Sequence, residues 1–383
     1  MGVAAEARDA PYAAACSTRS GRPAGHGNLP GMIAPVLERA RGALSEAAGD
    51  SVDLQRAASS AVVLCSRYNG RAVFGIFHDG AAEPFVIVKI DHAKPQKARL
   101  RREHDALSAL AERPDLEGRV PRPVAFFEHG AALVLVQTAL RGTTLSVLLR
   151  RRLRARPAVS RNEHHRVSHF LETLRASAAV ERVVVQPDIV VDTLESLLVD
   201  QNEGPMLPQQ LAAFRRDWPS VELPVMAGHG DLSPGNILMH DDRADVIDWE
   251  GGTYRRPALV DIVVFLYRYA LAHPDPLSVP RRTRGRLAGF RRAFLGDGWL
   301  ACLSAASYCR EIRKLNIPVQ AADFLLIATM ADLANGASVT HRPTLPRSRR
   351  FWTNALRTYL RQHDSSSLLR ELGQGPTTVA GSP

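Results

Sequence analysis

The chain has 383 residues, of which 45% are hydrophobic and 23% are charged, a composition typical of a globular protein rather than of a disordered one. A chain of this length can bury a full core, and it predicts two or three domains or one enzyme built from two lobes. No run reaches 18 apolar residues, which argues against a membrane span, and the first ten residues lack the segments of a secretion signal. We therefore expect a cytoplasmic protein.

The net charge of +10 raises the question of an anionic partner. Arginine dominates the basic residues, a bias that genome composition can also produce, and no aromatic residues are interleaved with the arginine runs to stack on bases. We therefore expect no nucleic acid partner. Four cysteines are too few for a disulfide scaffold and lack the spacing of a metal site, so we interpret them as reduced and structural: Cys16, Cys65, Cys302 and Cys309.

The first third of the chain predicts a small sheet with one helix. Residues 1–30 predict a mobile leader, followed by a helical pattern over Met32–Ala48. Five strand-like runs follow: Ala61–Cys65, Ala72–Phe77, Phe85–Ile90, Val124–Glu128 and Leu133–Gln137. The loops between the first three contain Asn or Asp beside Gly, which predicts hairpins and an antiparallel meander. A helix is predicted over Gln96–Glu112, between the third and fourth strands.

The rest of the chain predicts helices. From residue 142 to 363 the pattern is mostly helical, apart from a hairpin formed by Ile237–Met239 and Ala244–Ile247, and residues 364–383 predict a flexible tail. The sequence thus indicates an α+β class, with a small five-stranded antiparallel lobe over residues 31–141 and a larger helical lobe over 142–363.

One segment carries the residue types that phosphoryl transfer needs. His229-Gly230-Asp231 is followed by Asn236, five residues after Asp231, and then by Asp248 at the end of an apolar strand. A carboxylate can accept a hydroxyl proton, while an amide and a second carboxylate can hold Mg²⁺ against a polyphosphate. The alternative is that Asp and Asn are simply favoured in turns, but four such residues at this spacing on both sides of a hairpin favour a site.

A second pair supports the first. Lys89 shares a strand face with Phe85 and Ile87, and Glu103 lies in the apolar stripe of the predicted helix with Leu100 and Leu107. Both charges are costly unless they pair, and a strand-Lys to helix-Glu pair of the kinase type would solve both problems. A purely structural ion pair, or a Glu at the edge of the stripe, remains the alternative.

With these residues in this order, the chain resembles the aminoglycoside phosphotransferase and choline kinase family, which has a protein-kinase-like two-lobe fold. The resemblance covers about residues 55–340 and is most specific from His229 to Trp249. It implies ATP and Mg²⁺ as cofactors and a small-molecule hydroxyl as acceptor. The implied roles are these: Asp231 as catalytic base, Asn236 and Asp248 as Mg²⁺ ligands, Lys89 held by Glu103 at the phosphates, His229 and Asp261 as supports of the catalytic loop, and backbone groups of the connector at Gln137, Ala139 and Leu140 for adenine.

Three features depart from the family's common pattern. Residues 66–71 are not glycine-rich, and Arg67 and Arg71 could contact phosphate or be solvated. Ser233 stands where many relatives carry His. The helical part is basic, which favours a neutral or anionic acceptor over a polycationic one, although a solvated helix end is the favoured explanation for its arginine runs: Arg150, Arg151, Arg152, Arg154 and Arg156, and Arg281, Arg282, Arg284 and Arg286.

Two other functions stay open at this point. A protein kinase is disfavoured because Asp248 and Asp261 are too close in sequence for a long activation segment. A non-catalytic nucleotide-binding module is disfavoured because neither the base nor a metal ligand is missing. The acceptor itself is not identified, and four residues after Asp248 are candidates for contacting it: Glu250, Tyr254, Arg255 and Arg256.

Overall fold

The structure, a computed structural model, describes residues 35, 38–39, 42, 61–68, 71–78, 80–152, 156–176, 181–198, 206–273, 286–335 and 346–373. For residues 61–68, 206, 254 and 346–348 it describes the backbone alone. The predicted leader and almost all of the helix predicted at Met32–Ala48 lie outside these ranges.

The described chain divides into two compact units. The first contains the described residues up to Leu148 together with Gly235–Gly252, and the second contains Leu149–Pro234 and the described residues from Thr253 onward. The division differs from the predicted boundary at residue 142. In particular, Asn236 and Asp248 group with the N-terminal sheet, because the segment that carries them pairs with residues just after that sheet.

The first unit is built on a five-stranded antiparallel sheet in the order β1-β2-β3-β5-β4. Its strands are β1 (Ala61–Tyr68), β2 (Arg71–Phe77), β3 (Pro84–Asp91), β4 (Pro123–His129) and β5 (Ala132–Thr138). All five predicted strands exist, each one to three residues longer at an end. The predicted meander of the first three is confirmed by their antiparallel registers.

Helix α1 (Lys94–Ala111) packs against β3, β4 and β5. Its buried positions include Leu100, Glu103, Leu107 and Leu110, the stripe read from the sequence. The strands contribute a second layer of side chains, in which Phe74, Val88 and Val134 are at most 3% exposed. The sheet therefore has apolar side chains on both faces, which is why its central strands show almost continuous apolar runs.

A smaller sheet completes the first unit. Strands β9 (Ile237–His240) and β10 (Arg243–Val246) form the predicted hairpin, and the two-residue strand β6 (Thr143–Thr144) pairs with β9. Gly142 precedes β6 with φ +118°, and a Cβ there would lie 2.9 Å from the carbonyl oxygen of Met239, so the close approach of these two backbones requires glycine.

The second unit is mainly helical. Helix α2 (Leu145–Arg151) crosses into it from the first unit, and nine further helices belong to its described residues: α3 (Pro157–Ala176), α4 (Pro187–Leu198), α5 (Met206–Asp217), α6 (Val260–Ala272), α7 (Arg286–Phe294), α8 (Trp299–Lys314), α9 (Ala322–Asn335), α10 (Pro346–Arg361) and α11 (Ser367–Gly373).

The mostly helical pattern predicted for this part did not include a second sheet. Three strands, β7 (Glu181–Val185), β8 (Val221–Gly228) and β11 (Thr253–Pro257), form an antiparallel sheet in the order β11-β8-β7. Only the central strand is mostly buried, while β7 is largely exposed and β11 contains two arginines. The outer strands lack an apolar pattern because main-chain pairing with β8 holds them in the sheet.

Residues 364–373, which were predicted to belong to a flexible tail, are structured. Ser366 and Leu368 are at most 1% exposed, and α11 extends to Gly373. A buried polar cluster fixes this end: the Tyr359 hydroxyl donates to Asp323 at 2.6 Å, and His363 Nε2 donates to the other oxygen of Asp323 at 2.8 Å.

The mixed α+β class with antiparallel sheets is confirmed, while the relative placement expected for two kinase-like lobes stays a prediction. Within the described residues no helix combines the length and the apolar character needed to cross a membrane. The cytoplasmic location also stays a prediction.

The His363–Asp323 pair predicts a pH-dependent contribution to stability. Burial disfavours the charged imidazole, but Asp323 and Asp364 outweigh burial and raise the pKa of His363 above its ordinary value. A raised histidine pKa stabilises the fold below the unfolded pKa, near 6.5, and this stabilisation is lost as pH rises through the folded pKa. We expect His363→Gln to cost about 1–2 kcal/mol at pH 5.5 and less at pH 8.5. Urea unfolding at both pH values measures the difference, and a cost that is equal at both would contradict the assignment.

Candidate functional site

A buried lysine lies between two carboxylates in the first unit. Lys89 Nζ on β3 is 2.5 Å from Glu103 Oε1 on α1 and 2.9 Å from Asp248 Oδ1. Lys89 is 7% exposed and Glu103 is fully buried, whereas the Asp248 side chain is 35% exposed. Lys89, Glu103 and Asp248, which are far apart in sequence, thus meet in one cluster.

In this cluster burial disfavours the charged forms of Lys89 and Glu103, and the attraction between opposite charges opposes burial. Burial by itself would lower the pKa of Lys89, but Asp248 and Glu103 outweigh it and hold that pKa above its ordinary value. Burial raises the pKa of Glu103, and Lys89 opposes this effect. Glu103 Oε2 is buried without a hydrogen-bond partner in the described part of the chain. Such an arrangement is weak evidence for stability, and perturbed groups of this kind are typical of functional sites.

Asp248 projects from a constrained turn. Its φ of 65° and ψ of 59° place it in the left-handed region, which costs a non-glycine residue of order 1 kcal/mol. The turn Trp249–Gly251 that follows is anchored by a hydrogen bond from Trp249 Nε1 to the carbonyl of Val246, at 3.0 Å. A Cβ on Gly252 would lie 2.8 Å from Ala106, so this turn sits directly against α1, the helix that carries Glu103.

Asn236 lies at the same end of the β9–β10 hairpin as Asp248. The Ile247 amide donates to the carbonyl of Asn236 at 2.9 Å, directly beyond the last residue pair of the hairpin register. Asn236 and Asp248 therefore both lie just outside that register, at the same end of the hairpin. An amide oxygen and a partly exposed carboxylate fit Mg²⁺, which takes one or two protein ligands and fills its shell with water and phosphate oxygens. Within the described ranges no three His, Cys, Asp or Glu side chains are grouped so as to hold a metal ion by themselves.

Arg71 is the first residue of β2 and forms ion pairs, so it is not a solvated loop charge, while its contact with phosphate stays a prediction. Its guanidinium forms a fork with Asp91, at 2.9 Å from Nε to Oδ1 and 2.9 Å from Nη2 to Oδ2. Its Nη1 also donates to Glu250 Oε2 at 2.8 Å. Glu250 therefore contacts Arg71, and its predicted contact with an acceptor stays a prediction. The side chain of Arg67 lies outside the described atoms.

Part of the backbone in the predicted connector is already hydrogen-bonded within the sheet. Gln137 is within β5 and is 3% exposed, paired with Ile87 of β3. The Ala139 amide donates to the carbonyl of Phe85 at 3.0 Å, so this N–H group is already used by the sheet. The adenine contacts of Gln137 and Ala139 stay predictions.

In the second unit a carboxylate holds the loop that carries Asp231. Asp261, near the start of α6, accepts hydrogen bonds from the amides of His229 and Gly230, both at 2.7 Å. The buried His229 ring accepts from the Asp231 amide through Nδ1 at 3.2 Å. Gly230 has φ +80°, a conformation that favours glycine. Together these contacts fix the backbone on both sides of Gly230 and present Asp231 with a half-exposed side chain.

The arginines in this part of the second unit have different environments. Arg268 Nη2 on α6 is 3.8 Å from Asp231 Oδ1, and the Arg268 side chain is 38% exposed. Arg256 is buried, and its side chain lies so close to Gly228 that a Cβ there would be 2.6 Å from it. Arg255 pairs with Glu181 at the surface. The side chain of Tyr254 is outside the description.

One arginine of the predicted basic runs is not solvated. Arg152 pairs with Glu163, a buried residue that also accepts a hydrogen bond from the Tyr269 hydroxyl at 2.5 Å. Arg150, Arg151 and Arg156 are exposed, as expected for a helix end. Of the second run only Arg286 lies within the described residues.

The comparison with protein families agrees with this geometry. The model of the phosphotransferase enzyme family matches residues 76–295, more than half of the chain and a span that contains every predicted site residue from Lys89 to Asp261. The chain therefore belongs to the phosphotransferase enzyme family, and the resemblance to aminoglycoside phosphotransferases and choline kinases is confirmed at the level of the family. A search of curated proteins gives no significant match.

Two charged residues of these clusters, Asp91 and Arg268, were not among the predicted site residues. Asp91 ends the apolar run of β3 and pairs directly with Arg71 of β2, so the hairpin register would have indicated the contact. Arg268 is seven residues after Asp261 on α6, two helical turns along the same face. Both Asp261 and Arg268 interrupt the longest apolar run of the sequence, which was a usable signal.

The two amide contacts of Asp261 predict a large effect on stability. Asp261→Ala would leave the amides of His229 and Gly230 without their charged acceptor, and we expect the free energy of unfolding to fall by about 3 kcal/mol. Denaturant unfolding measures it, with Asp297→Ala as the control because Asp297 is exposed. Equal effects of the two substitutions would contradict the role assigned to Asp261.

Proposed function

We propose that this phosphotransferase moves the γ-phosphoryl group of ATP, in a Mg²⁺-dependent reaction, to a hydroxyl group of a small molecule, with Asp231 as the base. The observation that carries the proposal is Lys89, whose buried ammonium contacts Glu103 at 2.5 Å and Asp248 at 2.9 Å. A buried ion pair of this kind adds little to the stability of a fold, whereas a lysine in this position can bind nucleotide phosphates.

In this proposal Lys89 donates hydrogen bonds to the nucleotide's phosphate oxygens. Glu103 anchors the Lys89 ammonium group, and its fully buried carboxylate is shielded from solvent. Asp248 and Asn236 would hold Mg²⁺, which would neutralise the negative charge of the β- and γ-phosphates. The left-handed backbone at Asp248 supports this role, since strain of this kind is typically found at functional positions.

Asp231 is proposed to orient the acceptor hydroxyl and to take its proton. The acceptor oxygen forms a bond to the γ-phosphorus, the bond from that phosphorus to the bridging oxygen of ADP breaks, and the proton of the hydroxyl passes to the Asp231 carboxylate. Asp261 and His229 support the proposal because they fix the backbone of the Asp231 loop before substrate binds. Asp231 and Asn236 are five residues apart in the sequence, the spacing found in kinase catalytic loops.

The acceptor is proposed to be neutral or anionic. Arg268 lies within 3.8 Å of Asp231, so a cation already stands beside the proposed base. A polycationic acceptor would meet this charge as well as an overall charge of +10. We therefore propose a sugar, a sugar acid or a comparable neutral or anionic metabolite, and we rank amino alcohols below these and polycationic antibiotics lowest.

Release of ADP upon addition of hydroxylated metabolites tests the function. The wild-type protein should release ADP with at least one neutral or anionic member of a panel of sugars, sugar acids, amino alcohols and aminoglycosides, and EDTA should abolish the release. We expect Asp231→Asn to lower kcat by about 10²–10⁴-fold, the usual contribution of a general base. Asp248→Asn should require far more Mg²⁺ for half-maximal release. Asp297→Asn is the matched control, since Asp297 is exposed.

Three results would contradict parts of the proposal. Unchanged turnover in both Asp231→Asn and Asp248→Asn would exclude the proposed chemistry. Nucleotide binding without turnover for every acceptor would favour a nucleotide-binding module. Transfer of labelled phosphate to proteins alone would favour a protein kinase.

A further inference from the structure

Arg71, Asp91 and Glu250 form an ion-pair cluster, the Arg71 bridge, beside the Lys89 cluster of the first unit. Arg71 is the first residue of β2, Asp91 is the last residue of β3, and the two are paired in the register of the sheet. Glu250 lies in the Trp249–Gly251 turn, two residues after Asp248. One guanidinium therefore joins the ends of two interior strands of the main sheet to the turn that follows Asp248.

The geometry of the bridge is that of a strong contact. Arg71 uses Nε and Nη2 for Asp91, which is fully buried, and Nη1 for Glu250. Bidentate pairing of this kind is stronger and more directional than a single-point contact. Burial alone would lower the pKa of Arg71, but Asp91 and Glu250 outweigh it and raise that pKa above its ordinary value. The Arg71 side chain is 17% exposed, so solvent weakens the pair only in part.

A second arginine holds Glu250 from the other side. Arg99 Nη1 on α1 lies 3.7 Å from Glu250 Oε1, while Arg71 reaches Oε2. Each carboxylate oxygen of Glu250 thus faces a guanidinium. Side-chain contacts consequently fix the turn after Asp248 to both β2 and α1, in addition to its backbone packing against Ala106.

We propose that Arg71 is a positioning residue that acts through Glu250 to hold Asp248 in its metal-binding conformation, a proposal that rests on the function proposed above. Asp248 has a left-handed backbone that the surrounding structure must maintain. The Arg71 bridge supplies that restraint two residues away. Residues that hold metal ligands in place typically change metal affinity by 10–100-fold when they are replaced.

The test uses variants that separate the bridge from general damage to the fold. Arg71→Gln combined with Asp91→Asn removes the bridge without leaving a buried unpaired carboxylate. Glu250→Gln removes the arm to the turn and leaves the pair of Arg71 with Asp91 intact. A variant with all three substitutions completes the cycle. Arg101→Gln is the matched control, since Arg101 forms an exposed pair with Glu128 in the same unit.

Two measurements read the effect. The first is the Mg²⁺ concentration that gives half-maximal ADP release, and we expect an increase of about tenfold in the double variant and in Glu250→Gln. The triple variant should be no worse than either, because all three substitutions break one connection. The acceptor KM should stay within about twofold. The second is amide hydrogen exchange of residues 245–252 without metal or nucleotide, which should be faster in the same variants and unchanged in Arg101→Gln.

Opposite results overturn the proposal. Wild-type Mg²⁺ dependence and wild-type exchange in the double variant would show that Arg71 does not hold the turn. Additive effects of the double variant and Glu250→Gln would show that Glu250 acts independently of Arg71. If the wild-type protein released no ADP with any acceptor, the proposed function would fail, while the exchange measurement would still decide whether Arg71 restrains the turn.

Discussion

The ammonium group of Lys89 is the charge around which the first unit is arranged. It is buried at the interface of a strand and a helix, where it would be strongly unfavourable without partners. Glu103 occupies a position on α1 that would otherwise carry an apolar side chain, and Asp248 comes from a turn 159 residues further along the chain. The packing of α1 on the sheet and the anchoring of the Asp248 turn against α1 both keep these two carboxylates beside Lys89.

In the second unit a buried carboxylate also holds the structure beside a partly exposed Asp, here Asp231, but its partners are different. There a buried carboxylate, Asp261, accepts two backbone amides instead of a side-chain cation, and its place near the start of α6 is electrostatically favourable. In both units a buried acidic group fixes a neighbouring segment, and a partly exposed Asp is presented beside it. Conformational freedom near the two proposed reacting positions is thereby removed before any substrate binds.

The sequence predicts the local features well and the distant contacts poorly. Short apolar runs locate all five strands of the main sheet, and the stripe of α1 identifies Glu103, because both patterns arise from neighbours in sequence. Strand β11 was missed because main-chain pairing, not apolar content, places it in a sheet. The role of Arg71 was missed because it depends on Asp91 and Glu250, which are 20 and 179 residues away. The candidate site residues could be proposed from the sequence because phosphoryl transfer restricts which residue types can serve.

The central claim is that the buried Lys89 is kept for nucleotide phosphates rather than for stability. Calorimetric titration with Mg²⁺ and a non-hydrolysable ATP analogue tests it most directly, comparing the wild-type protein with Lys89→Met combined with Glu103→Gln, which leaves no unpaired charge buried. The account predicts at least a tenfold loss of affinity in the double variant with little loss of thermal stability. Equal affinity in the two proteins would contradict it.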